Sequence, residues 1–334
     1  MPENQLVNIA VDAMGGDGGY RLVVDGAVGM LSDDPELVLH LVGKRADLEP
    51  ALMPVDARLR ERIRLHDAES VLPMDVSTAR ALRQGRGSSM QLALELLAAG
   101  DVQAVVSAGN TGALMALSRQ VMGMLPGIER PALMASVPGA GKPVWVLDLG
   151  ANVGVDAHRL LEFARLGHFA VEVLTGSPPV TGLLNIGHEP SKGPDVLREA
   201  GRLIEAEAEI DYAGFVEADA VFAGAVDLVV CDGFAGNILL KGAEGMVRLM
   251  FGEIDRALRR GPTAWLARRR LRTLHDRLDP AMHNGAPLLG VRGTVIKSHG
   301  AACVRGFAAA VRLAALEARR DLIPELERRL WASY

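Results

Sequence analysis

Short apolar runs alternate with amphipathic stretches along almost the whole chain, and this rhythm limits the folds that the chain can adopt. Strands are predicted at residues 6–11, 37–42, 62–66, 102–107, 144–149, 181–186, 211–216, 227–231 and 294–296. Between them, stretches such as 90–99, 112–122, 156–174 and 195–205 carry apolar residues at helical spacing. Strands that alternate with helices are typical of a mostly parallel sheet with helices on both faces. The sequence therefore predicts an α/β protein, with a single domain over residues 1–334.

The composition fits a protein of a reducing compartment. Hydrophobic residues make up 49% of the 334 positions, and the net charge of −5 gives no general attraction to nucleic acid. The two cysteines, Cys231 and Cys303, match neither a metal motif nor a disulfide framework. The first residues lack the basic-then-apolar pattern of a signal peptide, and no apolar run is long enough to span a membrane. We expect a cytoplasmic protein with no nucleic acid partner.

Polar, glycine-rich segments follow six of the predicted strands. Their sequences are DAMGGD (12–17), SAGNTG (107–112), DLGAN (148–152), GHEPSKG (187–193), CDGFAGN (231–237) and KSHG (297–300). In a parallel sheet the carboxyl ends of the strands lie along one edge, where ligands bind. We therefore expect all six segments to converge on one crevice. Backbone N–H groups in such loops, next to helix N-termini, favour an anionic ligand.

Nucleotide, metal and nucleophile motifs are missing from these segments. The dinucleotide fingerprint fails because Arg21 stands at its third glycine position, and the P-loop pattern fails at Pro143. The histidines show no pairing at metal-ligand spacing, and no G-x-S-x-G elbow occurs. Cys231 ends an apolar run and fits a small buried residue better than a reactive thiolate. The sequence thus predicts no metal and no cofactor, and it favours a bound anion as the nucleophile.

The segments together resemble the PlsX phosphate acyltransferase family of bacterial phospholipid synthesis. The resemblance is carried, in chain order over residues 8–311, by VDAMGGD, SAGNTGALM, ERPAL, LDLGANV, LLNIGHEPSKG, DGFAGN and NGAPLLGVRGTVIKSHG. It implies transfer of a long-chain fatty acyl group from acyl carrier protein to inorganic phosphate, which forms acyl phosphate. It also implies a homodimer with a three-layer α/β/α sandwich fold, similar to the phosphotransacetylases and isocitrate dehydrogenases.

The resemblance assigns roles to particular residues. The family's catalytic lysine falls in the loop that matches GHEPSKG and its catalytic asparagine in the one that matches DGFAGN, which are Lys192 and Asn237 here. Lys192 is expected to neutralise phosphate or guide protonation of the leaving sulfur, and Asn237 to donate to the thioester oxygen. By themselves the residues favour simpler interpretations, a solvated loop charge and a helix cap. The residues expected to line the crevice and bind phosphate are Gly15, Gly16, Asn110, Thr111, Lys297, Ser298 and His299.

Residues 244–282 differ from the rest of the chain and predict a helical hairpin. Apolar residues repeat at helical spacing on both sides of Gly261 and Pro262, which interrupt the helix. Residues 256–277 hold eight arginines and one acidic residue. Basic residues and tryptophan favour the surface of an anionic bilayer. We expect the base of the hairpin to support the dimer. Its tip is expected to contact the inner face of the cell membrane, where the family's product passes to the acyltransferase PlsY, through Trp265, Leu266, Arg268 and Arg269.

Three other functions are compatible with the same loops. An acyltransferase acting on short-chain acyl-CoA would differ in its thioester carrier. A dehydrogenase of the isocitrate type would need a cluster of aspartates to hold a metal, and the sequence does not suggest one. A scaffold at the membrane surface would bind lipid and leave acyl carrier protein unchanged.

Overall fold

The computed structural model describes residues 6–258, 271, 274 and 277–332, and it places eleven strands in these ranges. The strands are β1 (Val7–Asp12), β2 (Leu37–Gly43), β3 (Ile63–Asp67), β4 (Ala104–Ser107), β5 (Ala132–Val137), β6 (Val144–Leu147), β7 (Val180–Leu184), β8 (Asp211–Val216), β9 (Leu228–Val230), β10 (Ala286–Leu289) and β11 (Thr294–Lys297). Nine of them confirm the predicted strands, with ends that differ by at most two residues. The other two, β5 and β10, were not predicted.

The helices fill the connections between strands, as the alternating pattern predicts. They are α1 (Gly19–Asp33), α2 (Arg45–Leu52), α3 (Ala57–Arg60), α4 (Thr78–Gln84), α5 (Ser89–Ala98), α6 (Thr111–Met122), α7 (Ala157–Thr175), α8 (Asp195–Glu205), α9 (Ala218–Ala223), α10 (Gly233–Ala257), α11 (Val304–Arg319) and α12 (Leu322–Ala332). A 3₁₀ turn at Pro280–His283 precedes β10. The four helices named from the sequence are confirmed to within one residue at each end.

All eleven strands form one sheet in the order β3-β2-β1-β4-β11-β10-β5-β6-β9-β7-β8. Most neighbours are parallel, so the predicted α/β class with a mostly parallel sheet is confirmed. Three successive pairings in the middle, β11–β10, β10–β5 and β5–β6, are antiparallel. Because three reversals leave a net reversal, β6, β9, β7 and β8 run opposite to β1, β2, β3, β4 and β11.

This reversal corrects the expected convergence of six loops at one sheet edge. The segments DAMGGD, SAGNTG and KSHG follow strands of the first half, whereas DLGAN, GHEPSKG and CDGFAGN follow strands of the second half. Their carboxyl ends therefore point to opposite edges of the sheet. Loops from the two halves can meet only across the face of the sheet, above its antiparallel middle.

Side chains alternate between the two faces of the sheet, and each face carries helices. One core contains Ala10, Val105, Leu133 and Val229, together with residues of α5 and α6. The opposite face is covered in two parts, by α1 and α11 around Ile9 and Val106, and by α7 and α12 around Leu147 and Val230. The arrangement is the three-layer α/β/α sandwich that the family resemblance implies.

The first helix of the predicted hairpin is present as α10, which begins well before residue 244. It has 25 residues, of which only Gly233 and Gly236 are buried. The expected membrane contacts Trp265, Leu266, Arg268 and Arg269 lie outside the described residues. None of the described helices combines the length and the apolar character that a membrane span requires.

Candidate active site

A cavity of about 800 Å³ lies over the middle of the sheet, between the two halves. Asn110 and Thr111 line it from the first half, as do the three consecutive residues Lys297, Ser298 and His299. Gly150 and Asn237 line it from the second half. Asp17 of DAMGGD also lines the cavity, so five of the six glycine-rich segments contribute to it although their strands run in opposite directions.

The N-terminus of α6 forms one wall of the cavity. The Asn110 side chain caps this helix by accepting a hydrogen bond from the Ala113 backbone N–H at 2.8 Å. The same side chain donates to the Met74 carbonyl oxygen at 2.6 Å, which fixes its orientation. Thr111 and Gly112 follow in the first turn and also line the cavity. Free N–H groups and the positive end of the helix dipole make this wall favourable for an anion.

The end of β11 supplies the most deeply buried cation of the cavity lining. Lys297 is only 8% exposed, and its Nζ donates to the backbone carbonyl oxygens of Ala108 and Ser298. Burial lowers the pKa of Lys297 to about 8, and the nearby carboxylates of Asp12 and Asp17 oppose this shift. A nearby negative charge stabilises a buried ammonium group, so this part of the cavity favours a bound anion.

Asn284 holds the segment after Lys297 in place. Its amide nitrogen donates to Ser298 Oγ at 2.8 Å, and its amide oxygen accepts from the His299 backbone N–H at 2.9 Å. Ser298 is fully buried, whereas the His299 side chain reaches the exposed part of the cavity. Asn284 therefore fixes the Ser298 side chain and the His299 backbone, which is the kind of support that a preorganised binding site needs.

Buried Asp148 ties the DLGAN segment to the start of α10. Its carboxylate accepts hydrogen bonds from the backbone N–H groups of Leu133, Leu149, Ala151 and Asn152. Burial raises the pKa of Asp148, and these donors oppose the rise. Gly236 packs so closely on Asp148 that an added Cβ would lie 2.0 Å from its carbonyl oxygen. These contacts set the position of the next residue, Asn237, in the cavity.

The sequence comparisons identify the family. The family described as "Fatty acid synthesis protein" matches residues 7–324. The chain belongs to this family. A phosphate acyltransferase of Pseudomonas syringae pv. tomato is 45% identical over 326 residues, which cover 96% of each chain. A phosphate acyltransferase of Stutzerimonas stutzeri is 44% identical, over 96% of this chain and 92% of that protein. The resemblance to PlsX is thereby confirmed, and the chain is an acyltransferase.

Two solved phosphotransacetylase structures share the fold of this chain. A phosphotransacetylase from Streptococcus pyogenes aligns with a TM-score of 0.65 and 16% identity, over 95% of this chain and 96% of that chain. The EutD phosphotransacetylase from Staphylococcus aureus aligns with a TM-score of 0.61 and 15% identity, over 94% of both chains. Identities this low establish the common fold alone.

Lys192 is the one residue with a predicted catalytic role that does not line the cavity of this acyltransferase. It is exposed on the loop after β7, where its backbone N–H donates to the Glu189 carbonyl oxygen at 3.0 Å. Its own carbonyl oxygen accepts from the Asn185 amide at 3.1 Å. Strand β7 lies beside β9, which leads into α10 and Asn237. Lys192 and Asn237 therefore follow neighbouring strands, but of the two only Asn237 lines the cavity.

Gly15 and Gly16 were expected to line the crevice, but neither lines this cavity. A Cβ on Gly15 would lie 2.6 Å from the Gly109 nitrogen, and Gly16 has a φ of +100°, which favours glycine. Both allow the first loop to pack against the SAGNTG segment. Asp17, the next residue, is the member of this loop that lines the cavity.

Several polar residues of the cavity were given no role from the sequence, among them Lys241, Glu244, His283 and Asn284. Lys241 could have been predicted, because it follows Asn237 by four positions and so shares its helix face. Asn284 begins the NGAPLLGVRGTVIKSHG segment, and His283 directly precedes it, but neither was expected to line the crevice. Among the described residues, no three His, Cys, Asp or Glu side chains are grouped as a metal ion would require.

Proposed function

We propose that this acyltransferase transfers a long-chain fatty acyl group from acyl carrier protein to inorganic phosphate. The observation that carries the proposal is the presence of a buried lysine, a helix N-terminus and an amide donor in one cavity. Lys297 and the N-terminus of α6 suit an anion, while Asn237 faces them from the other half of the sheet. The names of the curated relatives support phosphate as the acceptor.

The reaction needs no side-chain nucleophile. An oxygen of hydrogen phosphate attacks the thioester carbon, a C–O bond forms, and the C–S bond breaks. The leaving thiolate takes up the proton that phosphate brought, so the products are acyl phosphate and the free carrier thiol. A thiol with a free pKa of about 8.5 leaves readily. The protein must hold the two reactants together and stabilise the developing oxyanion, which we assign to Asn237.

The cavity suits a substrate with one polar and one apolar end. Besides its polar groups, the lining includes apolar side chains, among them Leu240, Val247, Leu278 and Ala281. An acyl chain that follows this surface would place its thioester near Asn237. This arrangement supports a long-chain donor and disfavours a short-chain acyl-CoA.

Cys303 also lines the cavity, so an acyl-enzyme on its thiol is the alternative to direct transfer. Buried Cys231 is a poor candidate because desolvation raises the pKa of its thiol far above the ordinary value. Direct attack by phosphate predicts that Cys303→Ser keeps its activity and that no acyl-enzyme forms. Retention of labelled acyl group on the protein in the absence of phosphate would contradict direct transfer.

The decisive experiment mixes the protein with palmitoyl-acyl carrier protein, with and without phosphate, and measures the free carrier. We expect release only with phosphate. A parallel reaction with acetyl-CoA separates the short-chain alternative. Lack of phosphate-dependent release from either donor would remove the proposed function.

Catalysis at a membrane surface is the second part of the proposal. Residues 256–277 combine eight arginines with Trp265, which favours an anionic bilayer. There, acyl phosphate would pass to the acyltransferase PlsY. The measurement is co-sedimentation with anionic vesicles at low and high salt, comparing wild type with a Trp265→Ser, Leu266→Ser, Arg268→Glu variant. Equal pelleting of both proteins would exclude this contact and leave a cytoplasmic enzyme.

A further inference from the structure

A second lysine reaches the cavity from the same helix as Asn237. Lys241 Nζ lies 2.9 Å from the Glu244 carboxylate and 3.2 Å from Nε2 of His299. Lys241 belongs to α10 in the second half of the sheet, whereas His299 follows β11 in the first half. This contact therefore joins the two walls of the cavity.

The hydrogen bonds of His299 fix where its proton lies. The Ala301 backbone N–H donates to Nδ1 at 3.1 Å, so Nδ1 must carry a lone pair. A neutral imidazole then carries its proton on Nε2. Desolvation, together with Lys241, lowers the pKa of His299, which favours this neutral form near pH 7.

Nε2–H and the Lys241 ammonium group are both donors, and neither can accept from the other. At 3.2 Å they face each other without an acceptor between them. The Glu244 carboxylate accepts a hydrogen bond from Lys241 Nζ, which leaves two of the three ammonium protons for another acceptor. Both donors gain a hydrogen-bond partner when one oxygen of a bound anion accepts from the two of them.

We propose that Lys241 and His299 together bind the phosphate that attacks the thioester, and that Glu244 positions Lys241. This inference rests on the proposed function and names a further binding pair for it. Phosphate fits better than the thioester oxygen, because a tetrahedral dianion offers several oxygens to donors on both walls. One phosphate oxygen would accept from Lys241 and His299, while others face Ser298 and Lys297.

The test compares Lys241→Ala, Lys241→Arg, His299→Gln and His299→Asn with a control, Lys44→Ala. Lys44 is exposed and lies outside the cavity lining. We expect Lys241→Ala to raise the KM for phosphate at least about tenfold, with a much smaller change in kcat, because it removes a binding contact. Lys241→Arg should restore most of the affinity.

The two histidine variants probe the proton position. Glutamine can place an N–H near the Nε2 position, whereas asparagine is too short to do so. His299→Gln should therefore keep most phosphate affinity, and His299→Asn should lose as much as Lys241→Ala. Equal loss in the two variants would overturn the assignment of the Nε2 donor.

A binding measurement without acyl donor separates this inference from the proposed reaction. Phosphate that binds the folded protein raises its melting temperature. The rise should be present in wild type and Lys44→Ala and be lost in Lys241→Ala. If wild type releases carrier with phosphate but Lys241→Ala keeps the wild-type KM and thermal shift, the inference fails and the function stands. If wild type shows the shift but no turnover with any donor, the proposed function fails instead.

Discussion

At the scale of single residues, the site depends on polar groups that the fold removes from water. Asp12 is buried below the cavity and accepts hydrogen bonds at 2.7 Å from the hydroxyls of Ser89 and Ser107. Burial raises the pKa of Asp12, and both hydroxyls oppose the rise. Asp148 has a similar role in the other half of the sheet, with backbone donors in place of hydroxyls. Each carboxylate is hydrogen-bonded to a loop that carries cavity residues, so the buried carboxylates help to fix the positions of these residues.

The first prediction concerns the two residues with assigned catalytic roles. Asn237→Ala should lower kcat by about a hundredfold, because removal of an oxyanion donor typically has this effect. Lys192→Ala should give a loss of at least this size while the melting temperature stays unchanged, since Lys192 is an exposed loop residue. Steady-state kinetics and thermal unfolding test both. A fully active Lys192→Ala enzyme would remove Lys192 from the mechanism.

The second prediction concerns Glu317, a fully buried residue of α11. Its Oε1 atom lacks a hydrogen-bond partner in the described part of the chain, and burial raises its pKa well above the ordinary value. The folded state therefore keeps a proton that the unfolded state loses above a pH of about 4.3. This group lowers the free energy of unfolding by about 1.4 kcal/mol per pH unit from there up to its folded pKa.

Glu317→Gln removes this titration and keeps the shape of the side chain. The variant should gain stability relative to wild type as the pH rises from 5 to 8. Urea unfolding of both proteins at several pH values measures the difference. A difference that stays constant over this range would show that Glu317 is not held neutral.

At the scale of elements, the strand–helix alternation was predictable and the strand directions were not. Both unpredicted strands carry misleading local signals. Residues 132–136 of β5 read ALMAS, in which alanine, leucine and methionine favour helix. β10 has only four residues and includes Pro287, which cannot donate to a sheet. Because these two strands produce the reversal, the meeting of the two walls could not be derived from the sequence.

The residues of the site also differ in how far the sequence predicted them. Asn110, Thr111 and Ser298 were predictable, because each directly follows a strand or lies at the start of a helix. Asn237 was assigned only through the family resemblance, since it is the fifth residue of α10. Lys192 follows β7, which is one strand farther than β9 from the antiparallel middle of the sheet, and the sequence does not show this order. The contact of Lys241 with His299 joins two segments 58 positions apart. Only the three-dimensional arrangement could show it.

The third prediction concerns the close packing of α10 against Asp148. A Cβ at Gly236 would lie 2.0 Å from the Asp148 carbonyl oxygen and 2.8 Å from Cys231 Sγ. Gly236→Ala must therefore shift the helix, at a cost of about 1–3 kcal/mol. Since Asn237 is the next residue, turnover should fall at least about tenfold, as a small misplacement of a reacting group does.

Gly252→Ala is the matched control on the same helix. No described atom lies within 4 Å of a Cβ at this position, and alanine favours helix by up to about 1 kcal/mol. Thermal unfolding and kinetics of both variants separate the effect of helix propensity from the effect of the close contact between α10 and Asp148. Equal behaviour of the two variants would show that close contact with Asp148 does not position Asn237.

At the scale of the whole molecule, the sheet consists of two oppositely directed halves that share an antiparallel middle. The cavity lies over this middle, so each half contributes one wall. The first half supplies Lys297 and the N-terminus of α6, and the second half supplies Asn237 and Lys241. In the proposed complex, phosphate lies where the two walls meet, at Lys241 and His299, and the acyl donor reaches Asn237 of the second half. The fold would thereby place the two reactants side by side without a covalent link to the protein.

The last prediction is that α10 forms the surface of a homodimer. Its outward side exposes Phe234, Ile238, Met246, Leu249 and Met250, each by 48–61%. A helix of this length spans about 37 Å. An apolar surface of this extent on a protein usually marks an interface. A second copy of the chain is the expected partner, because a two-fold axis would bring the same apolar face of both copies into contact.

Met246→Glu with Leu249→Glu should convert the dimer to a monomer, because it places four like charges in the two-fold interface. The control is Met53→Glu, at a residue that is 73% exposed on a different surface. Light scattering coupled to size exclusion measures the mass, and circular dichroism checks the fold. Because Asn237 and Lys241 lie on the same helix, the monomer should also lose turnover as α10 loses its support. A wild type that is monomeric at micromolar concentration, or a double variant that remains dimeric, would exclude this face as the interface.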